Sequence, residues 1–229
     1  MKLWLASYPR SGNTFLRQVL HYCFDIGSTA VYDEHAGLVE APWLADRIGY
    51  AGRLENAQAA LEGDSWIAVK THDYPADDAP AIYVVRDGRS ALISYLHYLN
   101  DHELRSIPFE DVIEGRVWPG SWSAHFAAWH PLDRPNTLLL RYENLKDDID
   151  AVVDQIGSFL KVTPRRPFLN EFSTLKTFLP TFFRGADDRR NIEEMAAYQE
   201  RFDALYLDLM VELGYYEATS LQGAEQQGG

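Results

Sequence analysis

The chain has 229 residues, 46% of them apolar and 24% charged, with a formal charge of −13. That length carries enough apolar side chain to bury a sizeable core in a single domain. The acid excess excludes a general nucleic-acid or anionic-membrane surface, since either needs a basic face. One cysteine, Cys23, excludes an internal disulfide and suits a reducing compartment. The chain shows neither a signal peptide nor an apolar run of about 18 residues, so the expectation is a soluble, cytoplasmic protein.

Taken in chain order, Leu3–Tyr8 is an apolar strand, and Asn13–Phe24 follows as a helix with Phe15, Leu16, Val19, Leu20 and Cys23 on one face. Residues 28–65 are mixed and loop-rich, with helical stretches near Trp43–Ile48 and Leu54–Leu61. Trp66–Lys70, Ala81–Val85 and Thr137–Arg141 are short apolar runs, as expected for strands buried on both faces. Helices are predicted over Gly88–Leu99, Trp122–Trp129, Asp147–Leu160 and Ile192–Leu213, and a polar, Gly/Gln-rich tail covers 217–229. The β-α alternation predicts a parallel α/β sheet in one domain, 1–216, with ligands at the carboxyl ends of its strands.

Those strand ends select the chemistry. The first leads into Tyr8-Pro9-Arg10-Ser11-Gly12-Asn13-Thr14-Phe15, a loop entering a helix. Helix-start N–H groups and the helix dipole make an anion site there, and the Arg10 guanidinium adds a fork of donors suited to phosphate or sulfate. No lysine follows Gly12 as a Walker loop requires. Other ends present Lys70-Thr71-His72, then Arg86 with Ser94 eight residues later, then Arg141-Tyr142-Glu143-Asn144. Cations converging on one sheet edge in an acidic chain point to a polyanion. The histidine pairs His97/His102 and His125/His130 are each five apart, about 140° around a helix, so neither pair shares a face as metal ligands would.

These segments, in this order, resemble the sulfotransferases that use 3′-phosphoadenosine 5′-phosphosulfate (PAPS), especially bacterial relatives of the cytosolic small-molecule enzymes. Residues 7–15 resemble the family's 5′-phosphosulfate loop, with Arg10 where the family has lysine, Asn13 for threonine and Phe15 for tryptophan. Lys70-Thr71-His72 resembles the catalytic Lys-Thr-His. Val85 to Tyr95, with its Arg86-to-Ser94 spacing, resembles the 3′-phosphate motif. Gly120-Ser121-Trp122 with His125, and Arg141 to Leu145, match two further landmarks. Phe183-Arg184-Gly185 resembles, without its lysine, the loop that closes over the cofactor.

The resemblance implies a single-domain, P-loop-like three-layer α/β/α fold and sulfuryl transfer from PAPS to a hydroxyl or amine of a small-molecule acceptor. PAPS is released as 3′,5′-diphosphoadenosine, and no metal is needed. His72 is then the base, and Lys70 and Arg10 stabilise charge on the transferred group. Arg10, Ser11, Gly12, Asn13 and Thr14 hold the 5′-phosphate, and Arg86, Ser94, Arg184 and Gly185 the 3′-phosphate side. Phe15 and Tyr142 flank the adenine, and His125 and Tyr74 line the acceptor site. Each has a plain structural alternative: Arg10 bonding strand-end carbonyls, Lys70 pairing with Asp73 or Asp87, Tyr142 as a core tyrosine, His125 packing under Trp122 and Trp129. A non-catalytic nucleotide-binding module and a P-loop-type kinase are the competing functions. Acceptor identity and oligomeric state are not legible in the sequence.

Overall fold

A computed structural model describes residues 1–33, 37, 40–57, 62–102, 106–169 and 188–217. The chain falls into two compact units, Met1–Arg86 with Ala127–Glu171, and Asp87–Phe126 with Phe172–Gly229.

The first unit holds a five-stranded sheet: β1 (Lys2–Ser7), β2 (Gly27–Ala30), β3 (Ile67–Thr71), β4 (Ala81–Val85) and β5 (Thr137–Arg141). Its order is β2-β3-β1-β4-β5, and every pairing is parallel. With β1 at the centre, Leu3, Leu5 and Ala6 are fully buried, as is almost all of β4, and this double-sided burial is why these strands read as unbroken apolar runs. Helix α1 (Asn13–Phe24) packs on β1 and β2. A short α2 (Pro42–Arg47) precedes a 3₁₀ turn, Leu54–Asn56.

β2 corrects the sequence reading, which left 28–65 without a strand. Its residues, Gly27-Ser28-Thr29-Ala30, carry little apolar surface, yet both hydroxyls are internally bonded. Ser28 Oγ donates to the Ile48 carbonyl (2.6 Å) and accepts from Arg17 Nε (2.8 Å), while Thr29 Oγ1 donates to the Gly52 carbonyl (2.8 Å). A polar strand is stable at this edge because neighbouring backbone and Arg17 supply the partners water would give.

The second unit contains α3 (Gly88–His102), α4 (Phe109–Ile113), the start of α5 (Trp122–Trp129), α8 (Asp188–Met195) and α9 (Gln199–Glu212). Asp87 opens α3: its carboxylate accepts from the Arg89 backbone N–H (2.9 Å) and pairs with the Arg89 guanidinium at 3.0 and 2.6 Å. Arg89 in turn lies 4.8 Å from the ring centroid of Tyr216. Gly88 is required at the helix start, because a Cβ there would meet the Trp122 ring at 2.9 Å. Tyr206, whose phenol donates to the Ile113 carbonyl, is pushed up to about 12 by burial.

Of the two long helices expected late in the chain, one is nearly as read and one is broken. The expected helix 147–160 is α7 (Ile149–Leu160), capped by Asp148, whose carboxylate accepts from the Ala151 N–H, and a separate short helix, α6 (Tyr142–Asp147), precedes it. The stretch 192–213 starts earlier, at Asp188, and is interrupted by a 3₁₀ turn at Ala196–Tyr198. Most of the expected 217–229 tail lies outside the described residues. Among the described residues, no helix is long and apolar enough to cross a membrane.

Candidate active site

The turn between β1 and α1 is shaped by two left-handed residues, Arg10 (φ 64°) and Gly12 (φ 99°). Gly12 stands at the N-terminal boundary of α1 with no side chain capping the helix, so the first-turn N–H groups of α1 are not taken up by a cap. A Cβ on Gly12 would lie 2.4 Å from Tyr142 Cδ2 and 2.9 Å from Cε2. Glycine is thus demanded twice, by backbone conformation and by an aromatic ring pressed against it.

Tyr142, at the start of α6, is buried and also carries the Arg86 guanidinium, whose carbon lies 4.8 Å from the ring centroid. Arg86 Nη1 then donates to the Arg10 carbonyl at 2.8 Å. Three strand ends, β1, β4 and β5, are therefore closed into one bracket around the anion-type loop. Tyr142, expected beside an adenine, has a ring engaged with Gly12 and Arg86. Phe15, expected in the same role, is 8% exposed and packs on Phe168 at 5.5 Å.

Ser11 is buried, and its Oγ has no hydrogen-bond partner among the described residues. Asn13 points back into the fold instead of outward. Its Nδ2 donates to the Leu5 carbonyl (2.9 Å) and reaches Ser7 Oγ at 3.4 Å. Thr14 is part-exposed on the first turn of α1. A buried hydroxyl unbonded among the described residues, a side-chain-free glycine and uncapped N–H groups form a donor set that fits a phosphate-like oxyanion.

On the other side of β1, His72 follows β3. Its Nδ1 lies 2.7 Å from the Ser7 carbonyl oxygen and 3.3 Å from Ser7 Oγ. A carbonyl can only accept, so Nδ1 carries a hydrogen, and in the neutral ring the lone pair is on Nε2. The His72 ring stacks on Tyr32, with centroids 5.9 Å apart and planes 19° from parallel, and Lys70 Nζ lies 5.0 Å from the same Tyr32 centroid. Tyr32 is the residue that sequence reasoning missed. It sits two positions beyond β2, and the strand-end rule reaches it only once β2 is recognised.

The loop after His72 is held at several points. Trp129 Nε1 donates to the Asp73 carbonyl at 2.9 Å. Asp77 accepts from Lys2, from Trp4 Nε1 (2.8 Å) and from the Ala79 N–H (3.0 Å), while Arg134 Nη2 donates to the carbonyls of Asp77 and Ala79, both at 2.9 Å. Burial alone would raise the Asp77 carboxyl, but the Lys2, Trp4 and Ala79 hydrogen bonds outweigh it and hold it down at about 2. Tyr74, on this loop, is exposed.

The remaining expectations divide. His125, expected on an acceptor wall, is completely buried on α5 in the second unit. Ser94 is half-buried on α3 in the same unit. Arg184 and Gly185 lie outside the described residues. Arg189, beyond them, pairs with Glu193 on the surface.

Comparison with known proteins follows the same segments. Residues 1–178 match the family described as Sulfotransferase domain. Human Sulfotransferase 2A1 is 28% identical over 174 residues, covering 72% of this chain and 61% of the relative. Mouse Sulfotransferase 1E1 is 28% identical over 180 residues, covering 71% and 59%. The chain thus spans about three-fifths of the length of these relatives. Among solved structures, mouse sulfotransferase SULT7A1 complexed with PAP superposes with a TM-score of 0.52 at 24% identity, covering 79% of this chain and 64% of that one. Retinol dehydratase in complex with androsterone and inactive cofactor PAP gives 0.54 at 19% identity, covering 83% and 69%.

Proposed function

The chain belongs to the sulfotransferase domain family, and from that premise we propose that it moves a sulfuryl group from PAPS to a hydroxyl of a small-molecule acceptor, with His72 as general base. The observation that carries this reading is the 2.7 Å approach of His72 Nδ1 to the Ser7 carbonyl. It fixes the tautomer with its lone pair on Nε2, the form that removes a proton. A solvated loop histidine has no need of such a bond.

Bound PAPS supplies the activated sulfuryl group and a phosphate leaving group. The protein's own part is positioning and charge. The α1 start, with Ser11, Gly12 and Thr14, receives the 5′-phosphate through backbone N–H and hydroxyl donors. Arg10 and Lys70 supply positive charge where the transferred oxygens gain negative charge, a term that grows in a water-poor site. Arg86, which braces the loop through the Arg10 carbonyl, is our candidate for the 3′-phosphate. Asn13 acts one layer back, tying the start of α1 to β1. His72 Nε2 takes the acceptor's proton as the new oxygen–sulfur bond forms, a role contributing typically 10²–10⁴-fold, about 3–5 kcal/mol of barrier.

The test is His72→Ala, assayed by calorimetry with 3′,5′-diphosphoadenosine and by transfer from labelled PAPS to an acceptor panel. Nucleotide affinity stays within about twofold, while transfer falls by 10²–10⁴. Wild-type turnover in the variant, or no heat with the nucleotide in either protein, overturns the reading.

A further inference from the structure

Beyond the carboxyl end of β2 lies a cavity of about 150 Å³, lined in part by Tyr32, Asp33, Tyr50, Arg53, Leu54 and Glu55. Tyr32 lines this cavity, and its ring stacks on His72 and lies under Lys70. We propose that this cavity receives the acceptor, and that the acceptor presents a single polyhydroxylated ring, a sugar or cyclitol. The assignment rests on the sulfuryl-transfer reading above and adds to it the chemical class of the substrate.

Size argues first. A cavity near 150 Å³ accommodates a single six-membered ring. The lining then separates polar rings from apolar ones. Small-molecule sites are mostly apolar with a few placed polar groups, whereas this one sets carboxylates and a guanidinium around two tyrosines. Asp33 and Arg53 pair at 3.0 Å, and their side chains are 54% and 43% exposed, so both reach water at the cavity edge. Ionised carboxylates only accept hydrogen bonds and guanidinium only donates them. A ring with several hydroxyls satisfies both kinds at once, because each hydroxyl donates and accepts. A steroid or a simple phenol offers one hydroxyl and can engage only one of these groups. A cationic ring meets Arg53 and an anionic one meets Asp33 and Glu55, so a neutral polyol is the best match.

In the transfer, a ring hydroxyl oxygen forms the new bond to sulfur as the bond from sulfur to the bridging oxygen of PAPS breaks. The electron pair leaves on the phosphate oxygen and the hydroxyl proton passes to His72 Nε2.

The experiment measures transfer from labelled PAPS to methyl pyranosides and myo-inositol, to p-cresol and to a steroid alcohol, in the wild type and in Arg53→Gln. We expect kcat/KM for the best polyol to exceed that for p-cresol and the steroid by at least about tenfold, and the polyol-to-cresol ratio to fall about tenfold in Arg53→Gln, as expected for losing a hydrogen bond from a charged donor. Better transfer to p-cresol or the steroid, or a ratio unmoved by Arg53→Gln, overturns the acceptor class while the transferase reading stands. Failure to sulfate any acceptor, with no binding of 3′,5′-diphosphoadenosine, removes the transferase reading and this assignment with it.

Discussion

Replacing Gly12 by alanine tests the bracket around the anion loop. At φ 99° an L-residue pays a left-handed penalty of about 1–2 kcal/mol. The added methyl would also lie 2.4 Å from Tyr142 Cδ2, a separation real atoms do not hold. The ring has little room to yield, since it is buried and carries Arg86, which is itself bonded to the Arg10 carbonyl. Overpacking of this kind costs about 1–3 kcal/mol, so Gly12→Ala should lose about 2–5 kcal/mol in denaturant unfolding. Tyr142→Ala alone removes a buried aromatic and should lose about 3–5 kcal/mol. In the double variant the clash disappears but the backbone penalty stays, so its loss should fall short of the sum by about 1–3 kcal/mol. Additivity to within about 0.5 kcal/mol would show that the ring and the glycine are not coupled and refute the bracket.

Two further outcomes concern single groups. Asp77 is held at about 2, below its ordinary 3.8, so its ionised contacts stabilise the fold fully above pH 3.8, and that contribution is lost as pH falls toward 2. Asp77→Asn should flatten the acid limb of the melting temperature between those values. An unchanged pH profile would mean that Lys2 and Trp4 add nothing there, and the effect is modest because the carboxyl is 43% exposed. Cys23 is fully buried, and burial pushes its thiol up to about 11 against a weaker opposing field from Arg166. Its alkylation by iodoacetamide at pH 8 should therefore follow global unfolding, with protection lost across the denaturant transition. Rapid labelling of the native chain would contradict the burial.

Where side-chain pattern is dictated by the backbone, the sequence was readable. The limits Asn13–Phe24, Ala81–Val85 and Thr137–Arg141 were read as the structure has them, because apolar runs bounded by turn residues mark these strands and α1 must turn one apolar face to the sheet. β2 escaped because its hydroxyls are bonded by distant backbone at Ile48 and Gly52, a partnership that sequence spacing does not reveal. The break at Ala196–Tyr198 lies within a continuous amphipathic pattern, where a tightened turn leaves the periodicity almost intact. Within the site, the strand-end rule found Arg10, Lys70, His72, Arg86 and Tyr142. It could not say that Arg86 would bond the Arg10 carbonyl, that Tyr142 would rest on Gly12, or that Tyr32 would come over from the neglected strand. Those relations depend on which strands are neighbours.

The tether on His72 has a kinetic meaning. The imidazole is oriented by Ser7, and the loop beyond it is tied to Trp129, Lys2, Trp4 and Arg134 within the folded chain alone. With His72 as the proposed base, neither substrate has to arrive first to orient it, and no entropy of ordering it is left for turnover. Initial-rate plots should therefore show intersecting lines with both productive binary complexes accessible, and any compulsory sequence of addition must arise elsewhere in the molecule.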